Sequence, residues 1–144
     1  MIIDIVRAFF IAARAHKGQR DKGGKPYIFH PLNVSLNVKG KDEKIVALLH
    51  DVIEDTAYNI DDLKFLTKDQ RDALLLLTHD KDISYMTYIE EIKKNKIARR
   101  VKLADLDQNM NLKRLKTVTE KDLERLEKYK RARDLLMEGL VKNE

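Results

Sequence analysis

The chain has 144 residues, a formal net charge of +5 and 43% hydrophobic residues, enough for one core. It has no cysteine, which excludes a disulfide framework, a thiolate metal site and a cysteine nucleophile. Five glycines and two prolines leave little scope for a turn-rich all-β fold, and no apolar run approaches the ~20 residues that span a bilayer.

Charges inside Met1–Arg7 argue against a signal peptide, so the cytoplasm is the expected location. Ile2 to about Lys17 reads as a helix, with Ile2, Ile5, Val6, Phe9, Ala13 and His16 near one face. His16 ends that stripe and reads as a histidine satisfied at the helix end. Gly18–Pro26 is a loop of glycines and charges with nothing to bury. Pro31 suits the first turn of the next helix, placing His30 where the chain enters it; that helix is expected to run from Leu32 to about Val38.

After a turn at Lys39–Asp42, one helix is expected from about Glu43 to Asp55. It carries the apolar run Ile45–Leu49 and then His50, Asp51, Glu54 and Asp55. His50 and Glu54 share a face, as do Asp51 and Asp55, while His50 and Asp51 stand about 100° apart and can lean on one ion. Asn59 caps a short helix through Leu66, and Thr67-Lys68-Asp69-Gln70 forms a capping box opening a helix through Leu77. Its Ala73–Leu77 segment, apolar nearly all round, is expected to be buried. His79 reads as a surface residue of a polar turn. Ser84–Lys94 is a helix with Met86, Ile89 and Ile92 inward.

Lys96 to about Asn111 is a helix with Ile97, Val101 and Ala104 on an apolar side and Lys102, Asp105 and Asn109 together on another face. The run Lys93–Lys102 holds six basic residues: a solvated surface, a nucleic-acid patch or a rim for a phosphorylated ligand. Thr119–Asp122 has the capping-box pattern again and opens a last helix to about Leu140, with Leu123, Leu126, Leu136 and Leu140 for packing. The expected architecture is one all-α domain over residues 1–144, a bundle of about seven to eight helices.

His30, His50, Asp51 and Asp105 are two imidazoles and two carboxylates, a donor set that suits Mn²⁺, Fe²⁺, Zn²⁺, Co²⁺ or Ni²⁺ better than Ca²⁺. Such an ion acidifies water and polarises phosphoryl oxygens. Glu54 and Asp55, one turn on, are placed to take that water's proton, and Lys22 on the loop can meet phosphate. Spacing alone also permits a blander reading: a helix-end His50-Asp51 pair bonded to backbone, and a surface Asp105.

The blocks Ala15–Gln19, Pro26–Pro31, Ala47–Thr56 and Val101–Asp105 through Asn109-Met110 together resemble the HD-domain hydrolases of the RelA/SpoT type. The resemblance covers about residues 12 to 112. It implies an all-helical HD fold, bound Mn²⁺ and hydrolysis of the 3′-pyrophosphate of guanosine tetra- and pentaphosphate. By position it makes His30, His50, Asp51 and Asp105 the metal ligands and Glu54 and Asp55 the catalytic acids. Asn109 and Lys22 become substrate contacts. The length implies a small free-standing hydrolase acting on a nucleotide, with nucleic acid not expected as partner. Two places depart from the pattern: Asp21 stands where the family has a guanine-stacking arginine, and the fourth block reads Asp105-Leu106-Asp107-Gln108-Asn109-Met110. An HD hydrolase of another phosphorylated substrate and a non-catalytic nucleotide- or RNA-binding module are the alternatives.

Overall fold

Small residues decide how the first helix packs. In the computed structural model, which describes residues 2–140, α1 (Ile2–Ala15) buries Ala8 and Ala12 completely, so its backbone can lie close against the rest of the molecule. Ile5 and Phe9 pack beside them. The expected stripe is therefore rotated: Ile2 and Val6 are exposed, because the two alanines rather than the bulkier residues take the innermost positions.

The loop after α1 leads to α2 (Phe29–Leu36), which starts earlier than expected and places His30 and Pro31 in its first turn. There the missing proline N–H costs nothing. Next comes α3 (Lys41–Leu49), almost wholly apolar after its first turn. Val46 and Ala47 face one hydrophobic cluster, while Ile45, Leu48 and Leu49 face the other. α3 is thus the shared wall of both halves of the core, and burying each of its large side chains contributes about 1.5–3 kcal/mol.

The single helix expected from Glu43 to Asp55 is two helices. α3 stops at Leu49, and the short α4 (Val52–Asp55) follows a turn at His50-Asp51. The His50 ring donates from Nδ1 to Ala47 O at 2.6 Å. That carbonyl is the one a continuous helix would offer to the Asp51 N–H.

The short helix expected from Asn59 to Leu66 is only a 3₁₀ turn at Ile60–Asp62, capped by Asn59. The Thr67–Gln70 capping box is present and opens α5 (Lys68–Leu77). Gln70, buried, also donates to Asp42 Oδ1 at 2.7 Å and so ties α5 to α3. Of the apolar run in α5, Ala73, Leu74 and Leu77 are buried, but Leu75 is exposed on the outer face.

α6 (Tyr85–Lys93) turns Ile89 and Ile92 inward as expected, whereas Met86 faces out and Tyr88 takes the inner place. α7 (Lys96–Asn109), capped by Asn95, crosses behind α2 and α3 and buries Val101, Ala104, Asp105 and Leu106. A 3₁₀ turn at Leu112–Arg114 leads to α8 (Glu120–Met137), which opens on the Thr119–Asp122 capping box. Leu136 is buried in α8, but Leu123 is exposed, since Ala132 and Tyr129 rather than Leu123 meet the core. No strand is formed among the described residues.

Candidate active site

Four side chains meet where the ends of α2 and α3 approach the middle of α7. His30 Nε2 lies 2.8 Å from Asp105 Oδ1 and 4.0 Å from Asp51 Oδ2. His50 Nε2 lies 3.0 Å from Asp51 Oδ2 and 3.3 Å from Asp105 Oδ1. His30, His50 and Asp105 are buried, and Asp51 is nearly so. All four residues singled out as ligands in the sequence are therefore together.

The hydrogens in this cluster do not suffice for its acceptors. With its Nδ1 proton committed to Ala47 O, a neutral His50 ring turns an Nε2 lone pair toward the cluster, and that atom is buried. It faces two carboxylates that are themselves acceptors. Burial opposes charge on His50, but Asp51 and Asp105 outweigh it and hold its pKa well above the ordinary value. The cluster calls for a positive charge at its centre, and His30, His50 and Asp51 could hold a metal ion, offering donors within 4.8 Å of one another.

Outer contacts fix both carboxylates. Lys102 Nζ donates to Asp105 Oδ2 at 2.9 Å and Asn109 Nδ2 to Asp105 Oδ1 at 3.2 Å. Burial works against ionising Asp105, yet Lys102 and then the histidines hold its pKa well below the usual range. The Tyr27 hydroxyl donates to Asp51 Oδ2. For Asp51, too, burial is the largest influence and opposes ionisation, but His50 overrides it and brings the carboxyl down to about 2.

Glu54 and Asp55 sit on α4, exposed, beyond this cluster. Glu54 Oε1 accepts the His79 N–H at 3.1 Å. Partial burial raises the pKa of both carboxyls, offset at Glu54 by the His79 hydrogen bond and reinforced at Asp55 by Asp51. His79 is accordingly more than a surface residue: its ring stacks on Tyr88, centroids 4.5 Å apart, and this holds its backbone against Glu54.

A pocket of about 300 Å³ opens beside the cluster, with Tyr27 and His30 in its wall. Lys22 and Asn109 line it, as do Arg20, Arg114, Arg125 and Tyr129. Lys22 Nζ stands 3.7 Å from Asp122 Oδ1. The loop that carries it is closed on itself: Asp21 Oδ1 accepts the Lys25 N–H at 2.9 Å, and Arg20 Nη1 donates to Gly24 O at 2.8 Å.

No family model matches the chain. It is 44% identical over 77 residues to a GTP pyrophosphokinase of Streptomyces coelicolor, a match covering 51% of this chain and 9% of that protein. It is 45% identical over 65 residues to a guanosine-3′,5′-bis(diphosphate) 3′-pyrophosphohydrolase of Aquifex aeolicus, covering 42% and 9%. The bifunctional (p)ppGpp synthase/hydrolase SpoT of Escherichia coli is 42% identical over 64 residues, again 42% of this chain and 9% of the relative. The matches thus span about a tenth of those relatives' length. The solved structure of a metazoan ortholog of SpoT, which hydrolyzes ppGpp, superposes with a TM-score of 0.79 at 26% identity, over 97% of this chain and 88% of that one. The chain has the all-helical HD fold and is similar to the RelA/SpoT-type hydrolases.

Within this HD domain the basic run Lys93–Lys102 is mostly engaged in internal contacts. Arg99 donates to Leu136 O and Glu138 O and so satisfies the end of α8. Arg100 pairs with Glu43, Lys93 with Glu138 and Lys102 with Asp105. Few cations of the run remain for a nucleic-acid backbone. Sequence reasoning gave no role to Tyr27, Arg114, Arg125 and Tyr129. Tyr27 had a signal, three residues before His30 in a one-turn entry to α2. Arg125 and Tyr129 are four apart on one face of α8, but nothing in the sequence brings that face to the pocket. No helix of the described residues is long and apolar enough to cross a membrane.

Proposed function

We propose that residues 1–144 act as a single HD-type phosphohydrolase, dependent on Mn²⁺, that removes the 3′-pyrophosphate of guanosine tetraphosphate in the cytoplasm. The observation that carries this reading is the buried convergence of His30, His50, Asp51 and Asp105 beside a pocket lined by several cations. The names of the relatives supply the substrate: a guanosine-3′,5′-bis(diphosphate) 3′-pyrophosphohydrolase in Aquifex aeolicus and a ppGpp-hydrolysing SpoT ortholog in a metazoan.

His30, His50, Asp51 and Asp105 are the residues that would hold the ion. When bound, the ion supplies the charge that acidifies water and polarises a phosphoryl oxygen. Glu54 and Asp55 take the proton of the attacking water; its oxygen bonds to the phosphorus attached at the ribose 3′ oxygen. The bond from that phosphorus to the 3′ oxygen breaks, the 3′ oxygen is protonated, and guanosine 5′-diphosphate and pyrophosphate leave. Lys22 meets phosphate charge, and Asn109 holds Asp105 while lining the pocket.

The test is turnover of guanosine tetraphosphate by purified protein with Mn²⁺, resolving products by ion exchange. Guanosine diphosphate and pyrophosphate are expected; the absence of both overturns the reading. Asp21 supports a second reading, an HD hydrolase of another phosphorylated nucleotide. Its carboxylate lines the pocket where the family places a base-stacking arginine, and a carboxylate cannot stack in that way. Faster turnover of an adenosine analogue than of the guanosine nucleotide would favour it.

A further inference from the structure

The proposed reaction gives no role to a histidine buried at the end of α1. His16 is 3% exposed, and its Nδ1 lies 2.8 Å from Gln19 Oε1. The other end of that amide settles its orientation: Gln19 Nε2 donates to the main-chain oxygen of Asp55 at 3.1 Å. Oε1 therefore faces the ring, and as an acceptor only it takes the Nδ1 hydrogen. In its neutral form His16 is therefore the Nδ1–H tautomer, and its Nε2 is buried without a partner. The sequence expectation of a satisfied helix-end histidine thus holds for one nitrogen and fails for the other.

A histidine kept only for packing has no reason to leave a buried acceptor unpaired, because this costs stability. What the ring does accomplish is contact with the two side chains that hold the ends of the Asp51–Asp55 segment. Gln19 bonds the backbone of Asp55. Tyr27, whose ring centroid is 4.9 Å from that of His16, bonds the carboxylate of Asp51. The terminus of α1 is thereby linked across the fold to both ends of the acidic segment.

We propose that His16 is a positioning residue for the hydrolase site, setting Asp55 through Gln19. This inference rests on the function proposed above. Small displacements of reacting groups are expensive, so His16→Leu should lower kcat by about ten- to 100-fold. KM and Mn²⁺ content should stay within about twofold of wild type. The melting temperature should not fall, since the variant removes an unpaired buried acceptor. Gln19→Leu should behave alike, and the double variant should cost no more than either single one, as expected of links in one chain. His16→Asn, whose amide N–H can stand where Nδ1–H does, should recover most of kcat.

A His16→Leu enzyme with kcat within about twofold of wild type overturns the proposal. So does a loss that tracks a lower melting temperature or lost metal, and so do additive effects of the two leucine variants. A wild type inactive on every nucleotide sinks the hydrolase reading instead. In that case the ¹⁵N spectrum of His16 decides here: a hydrogen on Nδ1 is expected, and a neutral ring carrying it on Nε2 overturns the link to Gln19.

Discussion

Glu54 is the residue whose chemistry is most exposed to test. The His79 N–H holds one carboxylate oxygen, and partial burial raises the pKa above the ordinary glutamate value. A base must be deprotonated to act, so kcat/KM should rise with pH through that raised pKa and fall away on the acid side. Glu54→Gln keeps the shape and the acceptor for His79 but cannot take a proton. It should retain metal and lose about 10²–10⁴-fold in kcat. Elemental analysis alongside initial rates checks both; equal rates for variant and wild type remove Glu54 from the mechanism. Lys22 makes a different contribution. Its ammonium is largely exposed and only loosely paired with Asp122, so it is free to meet phosphate. One charge-assisted contact is worth about 1.5–3 kcal/mol, so Lys22→Ala should raise KM by roughly ten- to 100-fold with little change in kcat. A kcat loss without a KM change would instead place Lys22 at the reacting atoms.

Elements show which parts of the site were legible and why. Asp105 lies on α7, and His50-Asp51 directly follow the apolar run of α3, so these polar interruptions stood out against readable apolar stretches. The break between α3 and α4 was not readable, because it depends on one ring-to-carbonyl bond, His50 to Ala47, that no spacing encodes. Leu123 and Met86 were misplaced for a related reason: their helices have several hydrophobic sides, and tertiary packing chose the one with Ala132 or Tyr88. The pocket wall was the least legible element, since it joins the loop after α1 to the turn before α8, more than ninety residues apart. Gly23 marks that junction. A Cβ there would lie 2.3 Å from Arg114 O, a backbone atom that cannot step aside as a side chain could. Gly23→Ala should therefore push the loop off the Leu112–Arg114 turn and move Lys22 with it. The expected result is a raised KM, with Mn²⁺ content unchanged because the ligands lie elsewhere. A crystal structure of the variant with the loop in place would refute the argument.

At the scale of the whole molecule the candidate site opposes the fold that builds it. Apolar packing on both sides of α3 brings His50 and Asp51 to one end, and α7 brings Asp105 against them, so four acceptor-rich groups are forced together out of water. Paired buried charges lose much of their attraction to desolvation. Tyr27, Lys102 and Asn109 supply donors from outside the cluster but none at its centre. The protein without a cation should therefore be less stable than its core alone implies, and a cation that binds only the folded chain should restore the difference. At free Mn²⁺ about 100-fold above its Kd, mass action adds about 2.7 kcal/mol. For a domain of this size that corresponds to a rise in melting temperature of roughly 8 °C over the protein held in EDTA. Asp51→Ala removes one of the residues that would hold the ion, together with its charge, so it should abolish the rise. Glu54→Gln, outside the cluster, should keep the full rise. A wild type whose melting temperature is the same in Mn²⁺ and in EDTA would mean that the convergence of His30, His50, Asp51 and Asp105 does not hold that ion.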